Sequence, residues 1–235
     1  MNEGRLAQNY NSVLSRASAA AQRAGRLPAS WKLVAVTKAV SADAAAALFD
    51  LGARDLGENR VQDLLQKMDA LAQKKVRWHL IGHLQTNKVR KVVGGVTLIH
   101  SVDSLHLASE IDRAAADKGI VQDALLEVNV SGEQSKFGLA PEGAADLASR
   151  IRELPHVRLL GLMTMAPIVD DPEKTRPLFA ALRDLADRIS DAGGFARLPY
   201  ELSMGMTQDF EVAVEEGATL IRVGSALFEG VEGST

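Results

Sequence analysis

Apolar positions along the chain gather into eight short runs, at residues 33–38, 55–59, 77–82, 98–103, 124–130, 157–165, 200–206 and 219–228. Several are almost continuously apolar, as parallel strands are when both faces of the sheet are covered. Between them lie amphipathic stretches of helical period, clearest at 41–51, 61–71, 104–118, 141–154, 173–192 and 208–216, with a shorter one at 86–93 and a further helix over 1–26. Ser41, Ser104 and Pro141 stand where helices should open, and Gly52, Gly119, Gly193 and Gly217 where they should stop. Eight strands alternating with helices predict an α/β fold, a single (β/α)8 TIM barrel over residues 1–235 with an extra N-terminal helix. An open doubly wound sheet, with one or two strands misassigned, is the alternative.

In a barrel of this kind the chemistry collects where strands end and the next loops begin. Read that way, the strand ends supply Lys38, then Glu58-Asn59-Arg60, His83, Asp103, Asn129, Met163-Thr164-Met165, Ser203-Met204-Gly205 and Arg222-Val223-Gly224-Ser225. Lys38 closes an apolar run. A lysine there either snorkels its amine to water or keeps it partly out of water, where it becomes a nucleophile suited to a Schiff base with a carbonyl. Gly224 permits close backbone approach, Ser225 opens a turn with free N–H groups, Arg222 is a permanent cation, and Ser203 and Gly205 add a hydroxyl and a second glycine. Together these read as a phosphate cup in the loops after strands seven and eight, against the alternative of an ordinary strand–turn–helix with a solvated arginine. Closure of a barrel sets strand eight beside strand one. A ligand with an aldehyde at one end and a phosphate at the other fits that spacing, and pyridoxal 5'-phosphate is one. Asn59, His83, Met165 and Met204 are candidate walls for its ring, the two methionines being equally suited to plain core filling.

Composition narrows the field. The net charge is −3, so no nucleic-acid surface is implied, and the basic cluster Lys88, Arg90, Lys91 reads as a solvated helix face. With no cysteine, disulfides, thiolate catalysis and cysteine-held metals are excluded. Neither a signal core nor a membrane-length apolar segment is present, so a cytoplasmic protein is expected. His79 and His83 share a strand face, His100 and His106 lie on another unit, and no carboxylate cluster joins them, so no metal site is expected.

The motifs Val34-Ala35-Val36-Thr37-Lys38, Gly57-Glu58-Asn59-Arg60-Val61-Gln62, Trp78-His79-Leu80-Ile81-Gly82-His83-Leu84-Gln85-Thr86-Asn87-Lys88, Ser135-Lys136-Phe137-Gly138, Gly161-Leu162-Met163-Thr164-Met165, Leu202-Ser203-Met204-Gly205-Met206 and Arg222-Val223-Gly224-Ser225 run in order over nearly the whole chain. In them the chain resembles the YggS/PROSC family of pyridoxal phosphate homeostasis proteins. The resemblance implies a barrel like that of the alanine racemase N-terminal domain (the fold type III arrangement of pyridoxal enzymes), the cofactor on Lys38, phosphate contacts from Ser203, Gly224 and Ser225 with Arg222 close by, and a monomer. It also implies buffering or delivery of the cofactor, with pyridoxal-phosphate-dependent apoenzymes as recipients and no established turnover. Ala39-Val40 departs from the family's usual polar residue and proline.

The competing reading is a pyridoxal-phosphate-dependent amino-acid racemase or decarboxylase. Racemases similar to this chain take their second base, a tyrosine, from a second domain. This chain ends soon after strand eight, and neither Tyr10 nor Tyr200 falls at the C-terminal end of a predicted strand. His83 or a water could substitute as the second base, so activity stays open and no catalytic residue is assigned. A carrier needs only an open mouth and reversible imine chemistry, with Lys136 either a second amine or a solvated loop lysine. No strand-end carboxylate stands out as a partner for the pyridine nitrogen.

Overall fold

In the computed structural model, residues 2–133 and 136–231 are described. Eight strands, β1 (Lys32–Val36), β2 (Asp55–Glu58), β3 (Arg77–Leu80), β4 (Leu98–Val102), β5 (Gln122–Glu127), β6 (Val157–Met163), β7 (Glu201–Ser203) and β8 (Leu220–Val223), pair in sequence order into a closed barrel. The observed pairs are parallel throughout, and β1 meets β8 in a register that sets Val34 beside Arg222. The helices are α1 (Glu3–Arg23), α2 (Ala42–Asp50), α3 (Val61–Ala70), α4 (Val89–Val92), α5 (Leu105–Asp117), α6 (Ala144–Arg152), α7 (Arg176–Asp191), α8 (Phe210–Glu215) and α9 (Ser225–Phe228). This is the (β/α)8 barrel with an additional N-terminal helix.

Local chemistry sets the helix ends. Ser41 accepts the Ala44 N–H and Ser104 the Leu107 N–H, each satisfying a donor that the first turn leaves free. Gly52, Gly119, Gly193 and Gly217 follow helices with positive φ. The eighth run is where the expectation fails. Its strand stops at Val223, and Ser225–Phe228 is a helical turn, because a continuous apolar run does not distinguish a strand from a short buried helix. Likewise β7 stops at Ser203, three residues short of the expected 206.

Strand alternation divides the core into two shells. Val34, Val36, Leu98, Leu125, Leu160 and Leu220 face the barrel axis. Leu33, Ala35, Ile99, Leu126 and Ile221 face outward into the larger layer beneath the helices. Helix α1 closes the outside by packing on α8 and α9, with Arg16–Glu211 and Arg23–Glu215 ion pairs along the seam.

One buried polar cluster locks the C-terminal ends of β1 and β2. Lys67 lies on the buried face of α3 with Leu64. Its Nζ donates to the Thr37 carbonyl at 2.5 Å and to Glu58 Oε1 at 2.6 Å, and the Thr37 hydroxyl donates to that same carboxylate oxygen at 2.6 Å. Glu58 is fully buried, and the Lys67 amine is the cation that faces it. Removing one member of a buried pair strands the other, at a cost of about 3–5 kcal/mol. Lys67→Met is expected to destabilise by that amount in urea denaturation, and Glu58→Gln combined with it to recover most of the loss.

Candidate functional site

The ends of β1 and β8 come together through Gly224. A Cβ at that position would lie 3.2 Å from both the Val36 Cβ and the Val36 carbonyl oxygen, so the backbone after β8 lies directly on β1, two residues before Lys38. Lys38 itself lies in a turn just past β1. Its side chain is exposed at the rim and has no ion-pair partner among the described residues. The expected amine held partly out of water is thus absent from the free chain; what the fold supplies is a rooted base, through Thr37, and an open approach.

The loops after β7 and β8 present backbone donors. Gly205, at φ +88°, accepts from the Arg222 N–H through its carbonyl, while the N–H groups of Gly205, Gly224 and Ser225 donate to no described acceptor. The Ser225 hydroxyl is within 3.0 Å of that of Thr207. Three free amides on two adjacent loops, a step from an exposed lysine, are a donor set that fits a phosphate group joined to an aldehyde.

Ser203 and Arg222 are placed differently from an open cup. Both point to the barrel axis and are buried, and they bond each other: Arg222 Nη1 donates to Ser203 Oγ at 2.5 Å and Nη2 to the Thr164 carbonyl at 2.8 Å. Burial lowers the Arg222 guanidinium to about 10, against the pull of Glu127 and Asp209. Met204, next to Ser203, is turned outward and fully buried beneath the helices, whereas Met165 is half-buried against the axial shell. Asn59 is half-buried and His83 exposed, its ring stacked on Phe137 at 4.5 Å between centroids. Asn59 and His83 border a half-open cavity of about 530 Å³ that continues between Arg60, Lys88 and Lys91. Part of the basic cluster therefore lines a crevice, while Arg90 pairs with Asp117 in solvent. Lys136 contacts the Met165 carbonyl at 3.4 Å and Glu133 at 3.5 Å; Ser135, the first residue of its motif, lies outside the described residues.

Two sets of site residues escaped the sequence reading. Glu127, at the C-terminal end of β5, is two positions beyond the axial Leu125 and 2% exposed, and its carboxyl makes no hydrogen bond among the described residues. Burial first, and then the negative charge of Asp103, raise its carboxyl to about 7, with Arg222 opposing. The signal was present: an acidic residue in register with an axial leucine. The second set is the histidine pair His79 and His100, 2.9 Å apart on adjacent strands. The sequence shows them only as residents of different βα units.

Against known proteins, the family model for the alanine racemase N-terminal domain matches residues 3–231. A pyridoxal phosphate homeostasis protein of Aquifex aeolicus is 46% identical over 221 residues, 94% of this chain and 96% of that protein. That of Escherichia coli K12 is 36% identical, covering 95% of each. The chain belongs to the pyridoxal phosphate homeostasis protein family. The solved structure of PipY from Synechococcus elongatus PCC7942 with PLP bound superposes with a TM-score of 0.83 at 36% identity, over 95% of this chain and 99% of that one. A protein from Bifidobacterium adolescentis superposes at 0.91 with 40% identity, over 96% and 95% of the two chains. Alanine racemase of Clostridium difficile shares the fold, at 16% identity and a TM-score of 0.75, with 96% of this chain on 55% of that one.

For this family member the raised Glu127 carboxyl has a consequence for stability. Its ordinary value of 4.5 rises to about 7 in the folded chain. The folded state therefore binds more protons than the unfolded one between those values, and stability falls as pH rises through that window. Glu127→Gln should leave stability unchanged near pH 4 and raise it at pH 8 by on the order of 1–2 kcal/mol in thermal or urea unfolding.

Proposed function

We propose that this chain binds pyridoxal 5'-phosphate at the mouth of its barrel, as a covalent Schiff base on Lys38, and serves intracellular homeostasis of the cofactor by buffering or delivering it. The observation that carries the reading is the exposed Lys38 amine beside three unused backbone N–H groups, in a chain whose relatives are matched over almost their whole length. When bound, the cofactor contributes an electrophilic aldehyde and a dianionic phosphate.

The chain's own residues divide the work. Lys38 supplies the nucleophile. Gly205, Gly224 and Ser225 offer backbone N–H groups to the phosphate, Ser203 and Arg222 set the polar floor of the mouth, and Asn59, His83 and Met165 flank the ring. Met204 contributes from behind, by filling the layer that carries its loop. An exposed lysine exchanges readily with an incoming amine, so release needs no further catalyst, and pyridoxal-phosphate-dependent apoenzymes with their own active-site lysines fit the recipient role. The reading places a monomeric protein in the cytoplasm; among the described residues no helix is long and apolar enough to cross a membrane.

A racemase or decarboxylase activity is the second reading, and Glu127 is the observation that favours it. It is a buried carboxyl near neutrality at a strand end, suited to proton transfer. The carrier reading stands first because Tyr10 and Tyr200 are both remote from the mouth: Tyr10 packs within α1, and Tyr200 bonds Asp187 ahead of β7.

The test is an absorption spectrum with and without added pyridoxal 5'-phosphate, followed by borohydride reduction and peptide mapping. A visible band and a pyridoxyl adduct on Lys38 are expected. A colourless chain with no adduct would sink the reading. Lys38→Ala should abolish the adduct while leaving weak reversible binding. Arg222→Ala should shorten retention of the bound cofactor on gel filtration, by roughly the tenfold that loss of a charged hydrogen-bonding group brings.

A further inference from the structure

A continuous line of hydrogen bonds crosses the interior of the barrel. Arg77 grips Asp55 with a two-bond fork, Nε to Oδ1 at 2.7 Å and Nη2 to Oδ2 at 2.5 Å, at the start of β2 and β3. Asp55 Oδ1 then meets His79 Nε2 at 3.0 Å, His79 Nδ1 meets His100 Nε2 at 2.9 Å, and His100 Nδ1 meets Ser203 Oγ at 2.8 Å. Ser203 Oγ finally takes the Arg222 Nη1 proton. All five links run through groups that are buried, except Arg77, which reaches solvent on the far side from the mouth.

The two ends fix the direction of every proton in between. Burial would raise the Asp55 carboxyl, but the Arg77 fork and His79 outweigh it and hold it well below the usual carboxylate range. Asp55 can therefore only accept, and Arg222 at the other end can only donate. Burial, with His79 and Arg222 nearby, pushes His100 well below the usual histidine range, so its ring is neutral and has one proton to place. The buried Ser203 hydroxyl has one acceptor among the described residues, His100 Nδ1, because Arg222 only donates to it. A neutral His100 then donates from Nε2, so His79 accepts at Nδ1 and donates to Asp55 from Nε2. The serine oxygen is left facing Arg222 with lone pairs alone.

We propose that Asp55, His79 and His100 are positioning residues that fix Ser203 as an acceptor, and through it hold the Arg222 guanidinium at the barrel axis for the ligand in the mouth. The proposal rests on the reading above that Ser203 and Arg222 form the floor of the cofactor site. It adds that Ser203 has no proton free for an anion, so phosphate is held by backbone amides. It also gives a purpose to a row of buried polar side chains where aliphatic ones would pack more cheaply.

The experiment has a readout on the free chain. In ¹⁵N-labelled protein at pH 7.5, long-range ¹H–¹⁵N spectra should show His79 and His100 as neutral rings, both protonated on Nε2. An Nδ1-protonated ring or an imidazolium at His100 overturns the assignment. His79→Phe removes one link without touching Ser203, Arg222 or the mouth. It should release the His100 tautomer and shorten cofactor retention by about threefold to tenfold, the range for loss of one ordered hydrogen bond. His79→Gln, which keeps an acceptor for His100, should restore both. Unchanged retention in a folded His79→Phe overturns the positioning role, and should that variant fail to fold, Asp55→Asn carries the same prediction. A wild-type chain that forms no Lys38 adduct would overturn the cofactor reading while leaving the tautomer result to stand or fall alone.

Discussion

Closure of the parallel sheet is the constraint on which everything else in this structure depends. Once β1 accepts β8 as its neighbour, with Val34 beside Arg222 and Ala35 beside Val223, segments almost two hundred residues apart become adjacent strand ends. Lys38 and the free amides of Gly224 and Ser225 then share one rim. Closure also removes both sheet edges and forces alternate side chains onto a narrow axis. That axis is aliphatic through Val34, Val36, Leu98, Leu125, Leu160 and Leu220. It is polar along one line, from Asp55 through the two histidines to Ser203 and Arg222.

The two buried polar systems have different roles. The cluster of Lys67, Glu58 and Thr37 lies beneath the turn that carries Lys38 and fixes where its backbone leaves the strand. The axial line fixes the floor through Ser203 on β7 and Arg222 on β8, the strand beside β1. Between them the mouth keeps an exposed lysine and a carboxyl, Glu127, with no hydrogen-bond partner among the described residues. The buried carboxyl costs stability in the free chain, as is usual where a fold is arranged around a ligand rather than around itself.

The alternation of apolar runs with helical periods foretold all eight strands, because parallel strands buried on both faces and amphipathic helices differ in period as well as polarity. The serine caps and terminal glycines were equally legible, since each acts within one helical turn. The eighth run misled, as Ser225–Phe228 is as apolar as a strand but folds as a turn. Among candidate site residues, Lys38 and the loop glycines could be found at strand ends. Their exposure and free donors could not, because both depend on what neighbouring strands cover.

The sequence by itself determined the repeating unit, its order and the residues at each strand's end, since these follow from local periodicity and capping. Only the tertiary structure decided which of them meet. His79 and His100 look unrelated along the chain, and Arg222 reads as the cation of an open phosphate cup. Barrel closure and strand parity turned these three inward, where His79 meets His100 and Arg222 meets Ser203 and the Thr164 carbonyl. The physical reason is that side-chain direction repeats every two residues and can be read locally, whereas partnership across a closed sheet depends on register, which no short stretch of sequence contains.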